Sequence, residues 1–78
     1  MDKQFNTILS IALVPQIVDL IAKNEKTQDS VAIEMFYVSK TYELLSDEKT
    51  KLWHYSPLTL YHMWKSEKET GKIIFPEG

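Results

Sequence analysis

The sequence predicts an all-α fold, a compact bundle of about four helices with a short extended C-terminal tail. Three observations predict it. Apolar residues recur at three- and four-residue spacing over most of the chain. Helix-start signals stand at Thr27, Ser46 and Ser56. Only two Gly and three Pro are present, too few for the turns of a β-sandwich or barrel. The chain has 78 residues and no internal repeat, low-complexity tract or linker-like run, so it reads as one helical domain over residues 1–78. A hydrophobic fraction of 44% with 26% charged residues excludes disordered and fibrous classes.

The first helical segment runs from Phe5 to about Lys23 and is rich in Ile, Leu and Val. Pro15 interrupts it, because proline donates no amide and crowds the preceding turn. It either kinks one helix or separates two. Beyond it, Leu13, Ile17, Leu20 and Ile21 share a face, with Asp19 and Lys23 opposite. Thr27 is the expected N-cap of a second helix, with Asp29 in its first turn, where the helix dipole favours an acid. From Val31 to Leu45 the positions Ala32, Met35, Phe36, Tyr42 and Leu45 form one stripe. Val31, Ile33, Tyr37 and Val38 widen it almost all round, as expected of a central core helix.

Ser46 is the expected cap of a short helical stretch from Asp47 to about Trp53. Ser56-Pro57 is the strongest start signal in the chain, a cap residue followed by proline at the first helical position. The helix it opens turns Leu60, Tyr61 and Trp64 inward and Lys65 to Glu69 outward, and Gly71 ends it. The tail from Lys72 to Gly78 reads as extended. Its three large apolar residues must dock on their own core or on another chain.

Several kinds of chemistry are set aside by what is missing. Without cysteine there is no disulfide scaffold, thiolate metal site or cysteine nucleophile. His54 and His62 lack the acid spacing of a one-face metal site, so no metal and no cofactor are expected. Ser39 or Ser56 can be grouped on paper with His54 and Asp47, but no nucleophile elbow or oxyanion loop accompanies them. The pairs Asp47-Glu48 and Glu67/Glu69 lie among lysines and read as solvated helix faces. Both glycines are C-terminal, so there is no phosphate loop. The expectation is a protein that is not an enzyme.

A net charge of −2 and nine basic residues that are all Lys disfavour nucleic acid and anionic membranes. The apolar run from Ile8 to Val14 is too short for a signal peptide or a membrane span, which points to a cytoplasmic protein. Protein association remains. The chain has two Trp, four Tyr and three Phe, and seven of these lie between Phe36 and Trp64. A chain this short is marginal alone and needs a dense aromatic core or a partner. Tyr37, Trp53, Tyr55, Trp64, Ile74 and Phe75 are the candidate interface residues. The partner is another protein or a second copy, as in a homodimer. The alternative reading is a dimeric DNA-binding transcriptional regulator, in which two copies assemble a helix pair for the DNA groove.

The stretch Phe36-Tyr37-Val38-Ser39-Lys40-Thr41-Tyr42-Glu43-Leu44-Leu45, then Asp47-Glu48-Lys49-Thr50-Lys51-Leu52-Trp53, carries a pattern F-Y-x-S-x-x-Y-x-x-L … D-E-x-T-x-L-W. With Leu60-Tyr61 and the closing Glu69 to Glu77, it resembles a family of small, uncharacterised, cytosolic helical proteins of low-GC Gram-positive bacteria. Some of these are loosely labelled as toxin–antitoxin components. The resemblance covers about Leu20 to Glu77 and implies a partner-neutralising role in which this chain occludes a toxin. It brings no catalytic residues. Ser39 also has a physical reason to sit in the stripe, since its hydroxyl can bond a preceding carbonyl.

Overall fold

Pro15 sets how the chain enters its fold. The computed structural model describes residues 8–73; Phe5, Ile74 and Phe75 lie outside the described residues, and with them most of the expected tail. Ile8–Leu13 is wound as a π-helix and leads without a break into α1, Val14–Asn24, where Pro15 lies in the first turn. The proline ring crowds the carbonyl four residues back and offers it no amide. The wider π winding just before it accommodates that. Gln16 Nε2 donates to Ala12 O at 2.6 Å across the change of winding. Pro15 therefore marks a change of pitch within one helical run.

Helix α1 buries Val14, Ile17, Val18, Ile21 and Ala22, a stripe at i, i+3, i+4, i+7 and i+8. It ends in a Schellman turn. Lys26 takes a left-handed conformation (φ 55°) and Thr27 N donates to Ala22 O at 3.0 Å. Thr27 thus belongs to the turn that ends α1, and the cap position of the next helix falls one residue beyond the one expected. The second helix, α2, is Asp29–Tyr37 and follows Gln28, whose side chain makes no capping bond.

The long core helix expected over Val31 to Leu45 is two helices. The break is at Val38-Ser39, and α3 is Lys40–Leu45. Ser39 Oγ donates to Phe36 O at 2.5 Å and accepts from Tyr42 N at 3.1 Å, so one hydroxyl closes α2 and caps α3. The turn also redistributes burial. In α2 only Ala32 and Phe36 are buried, while Val31, Ile33 and Tyr37 face out. This helix is thus not the centre of the fold. Its apolar circumference is wider than one neighbouring layer can cover.

Two 3-10 turns follow, Glu48–Thr50 and Leu52–His54. Ser46 ends α3, and the cap expected of it is supplied by Asp47, whose carboxylate accepts from Lys49 N at 3.0 Å. Thr50 Oγ1 lies 2.6 Å from Leu44 O and 2.9 Å from Asp47 O, and Trp53 Nε1 donates to Glu48 O at 3.2 Å. Helix α4, Pro57–Thr70, opens and closes as expected. Ser56 Oγ accepts from Thr59 N at 3.2 Å, and Gly71 ends it at φ 77°.

Among the described residues there are four α-helices and no strand, an all-α bundle. Helix α1 packs on α2 and α4, and α3 packs on α4. Ile17 and Ile21 meet Phe36, Leu45, Leu60 and Met63 in one core, which Leu52 closes from the 3-10 region.

Candidate interaction surface

Helices α1 and α2 are joined by only four residues, so α2 turns back along α1. The cleft between them is a groove of about 320 Å³. Buried Val14 and Val18 form its floor. Exposed Pro15, Ile33 and Tyr37 form its walls, and its charged members are Asp19 and Asp29. The local sequence explains the arrangement. Asp29, Ile33 and Tyr37 stand every fourth residue along one ridge of α2, and Pro15 and Asp19 do the same on α1.

Tyr37 is 50% exposed, and its ring lies 4.7 Å from that of Tyr42. Beside it Val38 is 85% exposed, and together they line a second, more polar depression with Ser39, Tyr42 and Glu43. Ile11, one turn before Pro15, is also exposed. A further groove of about 540 Å³ runs along the other flank of α1, between Pro15, Asp19 and Leu20 and the start of α4 at Pro57 and Leu58. Pro15 and Asp19 line both grooves and so crest an exposed ridge.

Of the residues expected at an interface, Tyr37 is on this surface. Trp53 and Tyr55 are half-buried, packed on the core away from the groove, and the His54 ring lies edge-on to Trp53 at 6.0 Å and tilted against Tyr55 at 4.6 Å. Trp64 belongs to the core, 3% exposed, with Tyr61 stacked on it at 6.0 Å and Lys68 Nζ 5.5 Å from its ring centroid. Ile74 and Phe75 fall outside the described residues. Missed as surface residues were Ile33, Val38 and Pro15. The available signal was the over-wide apolar stripe of α2.

Two polar clusters hold the scaffold behind this surface. The Glu67 carboxylate on α4 receives Lys40 N at 2.8 Å, Thr41 N at 2.8 Å and the fully buried Thr41 Oγ1 at 2.7 Å. It thus satisfies the first amides of α3 from 26 residues away in sequence. Glu25, in the α1–α2 connection, pairs with Lys65 at 2.7 Å and with Lys68. The Lys65 hydrogen bond, then that of Lys68, holds the Glu25 carboxyl below its ordinary range against the opposing effect of burial. The Glu25 bond raises Lys65 in return. Among the described residues, no group of three or more His, Asp or Glu is placed to hold a metal ion. No helix among them is long and apolar enough to cross a membrane.

No family model, curated protein or solved structure matches the chain. The resemblance seen in the sequence therefore rests on its residues alone, of which Tyr42 and Trp53 are half-buried against the core. Phe36, Ser39, Leu45, Thr50 and Leu52 build the break, the core and the 3-10 region, whereas Tyr37 faces out.

Proposed function

We propose that this chain is a non-enzymatic protein-binding module of the bacterial cytoplasm, which presents its α1–α2 surface to a partner protein in the manner of an antitoxin covering a toxin. The observation that carries the reading is the continuity of Ile33, Tyr37 and Val38 with the walled groove beside them. Isolated exposed apolar side chains are ordinary, but a row of them along a groove is the form of an association site. Binding works by occlusion: the apolar ridge of α2 covers a functional surface of the partner. The acidic balance and the family resemblance support the same reading.

Co-expression with the product of an adjacent gene tests it. The expected result is co-purification and relief of that product's growth inhibition, both lost in Tyr37→Ala/Val38→Asp. Absence of both complex and relief for the neighbouring products would sink the reading.

A further inference from the structure

We propose that the α1–α2 groove receives an amphipathic helix of a partner protein whose apolar stripe is flanked by Lys or Arg. This rests on the protein-binding reading above and names the chemistry of what is bound. Shape argues for a helix. The groove is bounded by two rows of side chains at four-residue spacing, Pro15 and Asp19 against Asp29, Ile33 and Tyr37. Such rows accept the matching row of a third helix, ridge into groove. The stretch from Asp29 to Tyr37 is about 12 Å long, room for two to three turns. A β-strand from the partner would need a strand edge to pair with, and the described residues contain no strand.

Charge argues for a basic partner. The groove's two charged members are both acids. Asp29 pairs with no basic side chain among the described residues, and Asp19 is held only by the exposed neighbour Lys23 at 3.0 Å. Pairs of that kind are weak and exchange readily. Charge also argues against a second copy: a two-fold pairing through this groove would set acids against acids, which is unfavourable where water is expelled.

Two synthetic 14-residue helical peptides provide the test, one with a Leu stripe flanked by Lys and the other with the same stripe flanked by Glu. Binding is followed by fluorescence anisotropy at low salt. The Lys peptide should bind at least tenfold more tightly, and Asp19→Lys/Asp29→Lys should reverse the preference. Glu48→Lys/Glu69→Lys, which adds the same charge outside the groove, should leave the preference in place. Ile33→Ala/Tyr37→Ala should weaken both peptides. Circular dichroism of each variant, with Asp19→Asn/Asp29→Asn as a milder pair, separates lost binding from lost fold.

Equal binding of the two peptides, binding of neither, or a preference that follows net charge alone would overturn the proposal. So would a concentration-dependent dimer abolished by Tyr37→Lys, which would give the groove to a second copy. If an adjacent gene product still forms its complex with Asp19→Lys/Asp29→Lys, the basic-helix chemistry fails while the protein-binding reading survives. If no such product binds but the peptide preference holds, the antitoxin-like role toward an adjacent gene product fails while the basic-helix chemistry of the groove stands.

Discussion

Lys26 and Gly71 meet the same need with different residues. Each follows a helix and takes a left-handed backbone, at φ 55° and 77°. A side chain crowds the backbone there, and glycine has none. Lys26→Gly should therefore raise stability by up to ~1 kcal/mol, and Gly71→Ala should lower it by about 1 kcal/mol. No atom lies within 4 Å of a Cβ built on Gly71, so the loss is conformational and not a clash. Urea denaturation of the two variants checks both signs. Gly71 was legible because glycine announces this conformation. Lys26 was not, since nothing in a lysine indicates that Thr27 N will close the turn onto Ala22 O.

Between elements, α3 depends on a neighbour. Its six residues are too few to stand as an isolated helix. The carboxylate of Glu67 supplies what its length cannot. Glu67→Ala removes the acceptor for two backbone amides and leaves the buried Thr41 hydroxyl without it, a loss of ~2–4 kcal/mol. Glu67→Gln keeps one acceptor oxygen and should lose about half of that. Hydrogen exchange at Lys40 and Thr41 checks the mechanism, since those amides should lose protection first.

The Glu25 pairs act between the α1–α2 connection and α4 and give a pH signature. Glu25 titrates below its ordinary 4.5 in the folded chain, so its contribution is present above that value and is lost as acid carries the pH through the lowered pKa. Lys65 titrates above its ordinary 10.5, so its contribution is present below that value and is lost as the pH rises through the raised pKa. Thermal melts should thus show a plateau between about pH 5 and pH 10 that falls at both ends. Glu25→Gln should lower the plateau and soften both falls, and added salt should narrow the gap between variant and parent.

The whole molecule has no disulfide, and its stability rests on one core. A chain of this length has a stability of about 4–12 kcal/mol. Phe36→Ala opens a cavity at a fully buried position and should cost ~3–5 kcal/mol, a large share of that stability. Val38→Ala, one turn end away and 85% exposed, should change stability by less than about 0.5 kcal/mol. Calorimetry of the pair separates core from surface within a single stretch of sequence. The radius of gyration, 11.8 Å, is close to the ~11.5 Å of compact chains this size.

By itself the sequence determined the helical class, the start of α4 at Ser56-Pro57, its end at Gly71 and, within the buried stripe of α1, Ile17 and Ile21, whereas Leu20 is only half-buried and Val14, Val18 and Ala22 were not foreseen. Those features rest on local chemistry: proline geometry, a capping hydroxyl, glycine's freedom and the 3.6-residue period. The tertiary structure decided what became of the apolar stretch from Val31 to Leu45. Local pattern marks both sides of α2 as apolar, but a helix with neighbours on one side only can bury one of them. Once Ser39 turns the chain and Glu67 receives the start of α3, Phe36 goes inward and Ile33, Tyr37 and Val38 are left facing out. The candidate surface exists because that choice depends on contacts made across the fold, from residues more than twenty positions away.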